Sequence, residues 1–208
     1  MRVEILKYLG YQQNATVDAQ TESLIDRALL EVEKLSEFKY VHAYYDYPQD
    51  FMLKHQAYMD YLKGSDGYLL CATTIGIAVD RRLKRLQMED MAYAVVFDAT
   101  AGVYVEHLAD EYEKKLPYNS LGFRFCPGYA GTPLEDNEKI AALVKANKIG
   151  ISFLDSGLML PMKSMTGIVR IGGESRKSCK DCVAFSACAY RKRGETCYSQ
   201  PQLLTPNL

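Results

Sequence analysis

Gly150-Ile151-Ser152-Phe153-Leu154-Asp155-Ser156-Gly157-Leu158-Met159-Leu160-Pro161-Met162-Lys163-Ser164-Met165-Thr166-Gly167 is the stretch from which the fold is read. Ile149 to Leu160 and Ser164 to Ile171 are rich in apolar residues and β-formers, and Pro161-Met162-Lys163 separates them. Proline fixes φ and offers no ladder donor, so the pattern predicts two strands joined as a hairpin at that point. Upstream, Asp136 to Lys148 predicts a helix with Ile140, Leu143 and Val144 inward. Glu89 to Lys114 predicts a long helix, apolar through its middle and therefore buried there. Asp98 falls within that apolar stretch, where a carboxylate is either hydrogen-bonded in the core or placed for a ligand. After Gly76 a short helix carries Val79, Leu83 and Leu86 on one face, and Tyr68 to Ile75 reads as a buried strand. Lys39 to Tyr47 reads as a strand ending at Pro48, residues 51 to 63 as a helix stopped by Gly64, and residues 17 to 35 as a helix capped by Thr16 or Asp18. Strands and helices do not alternate regularly. The class is therefore α+β, a largely antiparallel sheet packed with helices.

Two hundred and eight residues suffice for one sizeable domain, or for one domain and a small appendage. A net charge of −1 argues against a general nucleic-acid binder. No apolar run is long enough to span a bilayer, and Met1 to Lys7 lacks the apolar stretch of a signal peptide. The expected location is the cytoplasm, where the six cysteines are reduced or metal-bound rather than paired. The composition changes after Gly173. Residues 1–173 form the α+β domain and 174–208 a basic, cysteine-rich C-terminal extension.

Two segments carry chemistry. In Arg124-Phe125-Cys126-Pro127-Gly128-Tyr129, Arg124 offers a rigid fork for a carboxylate or phosphate, and Tyr129 a flat face with a hydroxyl. Pro127 stiffens the backbone and Gly128 lets it approach a ligand closely, although Pro-Gly is also the commonest kind of plain turn. In the second segment, Cys179, Cys182, Cys188 and Cys197 stand at C-x2-C-x5-C-x8-C spacing. Four thiols within so short a span suggest a metal, either an iron–sulfur cluster or zinc; the alternative is a tail of free or redox-labile cysteines. Eight basic residues from Lys163 to Arg193, against Glu174 and Asp181, leave a local charge of +6. Such a run is a solvated face or a steering surface for an acidic partner.

The order of these pieces resembles one family. R-x-x-P-G-Y, then a proline, a helix and [ED]-S-x-x-M-x-P-x-x-S-x-[ST]-G, is similar to the activation domain of cobalamin-dependent methionine synthase; the match from Gly150 to Gly167 needs no gaps. Ala72-Thr73-Thr74-Ile75-Gly76, Asp98-Ala99-Thr100-Ala101-Gly102 and Glu106-His107-Leu108 resemble its middle section, and Ile5 to Tyr11 the opening of its short stand-alone members. The resemblance implies binding of S-adenosylmethionine beside a corrinoid, so that one electron, usually from flavodoxin, and one methyl group return cob(II)alamin to its methylated form. It implies that Arg124 meets the ligand carboxylate, that the backbone around Cys126, Pro127 and Gly128 lines the site, and that Tyr129 faces the methyl donor or the corrin as the catalytic residue. Gly102 and Tyr118 stand where the family has acidic ligand contacts. The family's cobalamin-binding modules have no counterpart in this sequence, so the cofactor belongs to a corrinoid methyltransferase or methionine synthase served in trans. Two readings follow: such a reactivation partner, or a cysteine-cluster regulatory module on a retired activation fold.

Overall fold

Gly67–Thr74 (β2) is buried at every residue because it is the middle strand of a three-stranded antiparallel sheet. Lys39–Tyr45 (β1) pairs with it on one side and Ser164–Ile171 (β5) on the other. The structure is a computed structural model and describes residues 1–12, 15–172, 189–192 and 194. In register, Cys71 lies opposite His42 and Gly167, and Leu70 opposite Ala43 and Ile168. The period of two then divides the sheet into two faces. Tyr68, Leu70, Ala72 and Ile168 pack against Gln56–Leu62 (α3) and Asp136–Leu143 (α6), with Tyr58, Phe125 and Ile140 between. On the opposite face Leu69, Cys71, Val169 and Ile171 are covered by Tyr40, Leu116, Tyr118 and Leu121.

A helical layer forms the third core. Arg2–Tyr8 (α1), Ala19–Leu35 (α2), Ile77–Glu89 (α4) and Met91–Glu113 (α5) bury Ile5, Ile25, Val32, Leu86 and Phe97 together. Full burial of one such aliphatic or aromatic side chain stabilises by roughly 1.5–3 kcal/mol. Asp18 caps α2, accepting from Thr21 N–H at 2.8 Å. Asp90 breaks the chain between α4 and α5 and caps the latter through Tyr93 N–H at 3.0 Å. No described helix is long and apolar enough to cross a membrane.

The α+β class and the antiparallel sheet are as the sequence predicts; the hairpin is not. Ile149 to Leu160 forms no long strand and does not pair with β5. It folds on itself as Ser152–Phe153 (β3) and Met159–Leu160 (β4) around the Asp155-Ser156-Gly157 turn, closed by Leu154 N–H to Leu158 C=O at 2.9 Å. That turn lies inside the segment and outcompetes its β-propensity. The helix expected to reach Lys148 ends at Leu143, because Lys145 adopts a left-handed φ of 57°. Ile140 and Val144 are buried as expected, but Leu143 is exposed. Asp98 is not a core carboxylate: it lies on the outer edge of α5, half exposed. The four cysteines of the C-terminal extension, Cys179, Cys182, Cys188 and Cys197, lie outside the described residues.

Candidate functional site

Asp98, Gly102, Glu106 and Asp110 recur every four residues along α5 and so share one face. Two segments meet that face. One is the turn after β4. The Lys163 ammonium pairs with Asp98 Oδ1 at 2.8 Å and lies 3.8 Å from where a Cβ on Gly102 would stand. This turn is fixed at three points: Met162 N–H donates to buried Asp80 Oδ2 at 2.6 Å, Ile75 N–H donates to Lys163 C=O at 3.2 Å, and Ser164 Oγ bonds Thr74 Oγ1 at 2.8 Å. Asp80 Oδ1 is buried without a hydrogen-bond partner among the described residues.

The other segment carries Arg124. Residues 121–125 run antiparallel beside β5: Phe125 and Ile168 exchange both backbone hydrogen bonds, at 2.8 and 2.9 Å, and Gly122 N–H donates to Arg170 C=O at 2.9 Å. This extended run sends Phe125 into the core and lays the Arg124 stem across Gly167. A Cβ on Gly167 would overlap Arg124 Cγ, so the two motifs singled out in the sequence interlock through a glycine that cannot enlarge. The Arg124 guanidinium then reaches the C-terminal end of α5. One nitrogen pairs with buried Glu113; the other pairs with Asp110 at 2.8 Å. Arg124 is 5 % exposed, whereas Asp110 is 57 % exposed. Tyr40 O–H donates to the same Glu113 oxygen at 2.8 Å. Burial holds the Glu113 carboxyl above its ordinary range, opposed by Arg124 and Tyr40. Burial works most strongly against the Arg124 charge, but the acidic groups around it, Glu113 first, together outweigh burial and the guanidinium stays protonated. Beneath the stem, Cys71 donates to Gly167 C=O at 3.4 Å, and burial raises its thiol to about 12.

After Phe125 the chain turns outward. Gly128 has φ +95°, a conformation that disfavours side chains, and a Cβ there would meet Leu134 at 2.9 Å. Its N–H bonds Thr132 Oγ1 and C=O at 3.0 and 3.1 Å, closing the loop over buried Pro127. The Tyr129 ring rests edge-on against Phe125, 5.8 Å between centroids, while the residue remains part exposed. Burial first, then Cys126 and Glu106, push its hydroxyl pKa upward, so it is a protonated donor at neutral pH. Tyr8 and Arg124 are within electrostatic reach of the same hydroxyl.

The structure thus gathers Arg124, Cys126, Pro127, Gly128 and Tyr129 in one loop beside α5, with Cys126 half-buried. Cys179, Cys182, Cys188 and Cys197 lie outside the described residues. Asp110 and Glu113 as partners of Arg124, Tyr40 as the second partner of Glu113, and Lys163 beside α5 were not found from the sequence. The four-residue recurrence from Asp98 to Asp110 was the available signal for the first of these.

No family model matches the chain, and no curated protein matches it. Solved structures do. A crystal structure of the MetH reactivation domain bound to AdoHcy superposes with a TM-score of 0.58 at 15 % sequence identity, covering 94 % of this chain and 81 % of that one. At that identity the likeness is one of fold: this α+β chain is built like the MetH reactivation domain.

Proposed function

We propose that the protein is a stand-alone reactivation partner for a cobalamin-dependent methyltransferase, methionine synthase being the first candidate. It binds S-adenosylmethionine along the outer face of α5 and presents the methyl group to a corrinoid held by the partner. The observation that carries this reading is the interlock of Arg124 with Gly167 beside the Gly128–Tyr129 loop, on a fold like that of a domain solved with AdoHcy. The partner's cobalamin, with an electron donor such as flavodoxin, supplies the redox and methyl-accepting chemistry.

This chain supplies position. The Arg124 nitrogen now held by exposed Asp110 is the one offered to a ligand carboxylate. Asp110 is itself exposed and water takes over its acceptor sites, so exchanging it for the ligand carboxylate costs less than breaking the buried pair with Glu113. Glu113 and Tyr40 keep the guanidinium in place meanwhile. The backbone of Cys126 and Gly128 lines the ligand, Pro127 stiffens it, and the Tyr129 hydroxyl stands at its edge as a donor. Holding a sulfonium methyl in line with its acceptor is catalysis by positioning.

Calorimetric titration with S-adenosylmethionine tests the ligand. Arg124→Ala is expected to weaken binding by about 2–5 kcal/mol, the range for truncating one partner of a buried charge pair. Asp110→Asn is expected to tighten it. Absence of binding to the unaltered protein would overturn the reading.

One observation favours a second reading: both ends of the Arg124 fork already have carboxylates. In that reading the fold no longer binds S-adenosylmethionine, and the chain is a regulatory module. Its cysteines Cys179, Cys182, Cys188 and Cys197 hold an iron–sulfur cluster or zinc. Elemental analysis of anaerobically purified protein decides this. Stoichiometric iron with sulfide, or zinc, lost in Cys182→Ser, supports the site, and neither metal excludes it.

A further inference from the structure

The face of α5 that carries Gly102 and Glu106 continues past Asp98 into a cleft between α1, α4 and α5. Its volume is about 260 Å³. Leu9, Leu83 and Met91 make it apolar, the Tyr8 side chain borders it, and Gln87 and Asp98 supply its polar groups. Sites for drug-sized ligands run to about 300–1,000 Å³, so this cleft suits a fragment the size of one heterocyclic base. Asp98 gives it a polar mouth. One of its oxygens accepts from Lys163 at 2.8 Å, and the carboxylate remains 49 % exposed. A carboxylate has about four acceptor sites, so Asp98 retains capacity for two further donors, while Lys163 has donors to spare. The backbone that carries Lys163 is fixed by Asp80, Ile75 and Thr74, and Asp98 holds its ammonium at the mouth of the cleft.

An acceptor-rich carboxylate beside a fixed ammonium, next to an apolar slot with a tyrosine and a carboxamide, matches a purine nucleoside. We infer that this cleft holds the nucleoside half of the ligand. The base lies on Leu9, Leu83 and Met91 against Tyr8. The Gln87 carboxamide, donor and acceptor together, pairs with the donor–acceptor edge of adenine. The two ribose hydroxyls donate to Asp98, and Lys163 donates to a ribose oxygen. This rests on the S-adenosylmethionine reading and extends it. From Gly102, beneath Lys163, to Asp110, beside Arg124, is eight residues, or about 12 Å of helix. An extended ligand with its ribose at Lys163 and its amino-acid carboxylate at Arg124 occupies that length.

The test compares three probes on the full chain: S-adenosylhomocysteine, adenosine and adenine, each titrated by calorimetry or ligand-observed NMR. Asp98 is half exposed, so Asp98→Asn is expected to fold, which circular dichroism checks. It should weaken S-adenosylhomocysteine and adenosine about tenfold, the size of one hydrogen bond to a charged group, and leave adenine unchanged. A purely structural role for Asp98 would weaken all three alike, and that result counts against the inference. Gln87→Leu should weaken all three. If S-adenosylhomocysteine binds the unaltered protein and both variants bind it as well, the nucleoside sits elsewhere and only the ligand reading survives. If adenosine binds and responds to Asp98→Asn, but S-adenosylhomocysteine binds no tighter, the nucleoside site stands and the Arg124 assignment falls. Failure of all three probes to bind the unaltered protein removes both.

Discussion

Gly167 is the residue on which the site depends. It faces the Arg124 stem so closely that any side chain must displace it. Gly167→Ala is therefore expected to destabilise by about 1–3 kcal/mol, the usual cost of overpacking. It should also weaken ligand binding, because Arg124 is the group that moves. Urea unfolding and calorimetry check the two effects, and an unchanged midpoint would mean that the stem relaxes freely. A second residue gives a pH signature. Burial on the sheet lowers the pKa of His42 below its ordinary value of about 6.5. Acid protonates the unfolded chain first, so this residue's contribution is full above about pH 6.5 and is lost as pH falls through the lowered folded value. His42→Gln should flatten that part of a stability-against-pH curve. The residue scale is also where the sequence was least legible. Arg124 was singled out from its motif, but its partner Glu113 is brought to it by the end of α5, and Tyr40 arrives from 73 positions before Glu113. No local pattern encodes such pairings; they come from the packing of a helix end on a sheet.

At the scale of elements, periodicity was enough wherever one face is buried. The residues expected inward on α4, Val79, Leu83 and Leu86, are buried, with Asp80 buried beside them, and β2 is a fully buried strand within a residue of its expected bounds. The failures share a cause. In 149–160 the Asp155-Ser156-Gly157 turn decided the backbone against a β-rich composition, and at Lys145 a left-handed residue ended a helix whose apolar spacing ran on. Local backbone geometry outranked periodicity in both. Caps, by contrast, were readable: Asp18 was one of two residues expected to begin α2, and it does. Asp90 performs the same task for α5, which supplies one face of the candidate site. Asp90→Ala is expected to cost about 1 kcal/mol. Hydrogen exchange should localise the loss to the first turn of α5. Equal loosening at Glu106 or Asp110 would show that the helix does not fray from its end.

The whole molecule consists of a helical layer and a sheet with two packed faces, and α5 belongs to both. Its N-terminal half lies in the helical core, and its C-terminal end holds Arg124 over the sheet. A ligand on the outer face of α5 is thus carried by the element that ties the layers together. The fold was legible because several loose motifs kept one order; the use of Arg124 was not, because the fold alone does not say which carboxylate it meets. Reactivation in trans is tested by rescue of a corrinoid methyltransferase trapped as cob(II)alamin, since the trapped and methylated forms differ in their visible spectra. The methylated form is expected to return at a useful rate only when this protein, S-adenosylmethionine and a one-electron donor are all present, with Tyr129→Phe slowing rescue more than it weakens binding. Rescue of the cognate enzyme that is equally fast without this protein would contradict reactivation in trans.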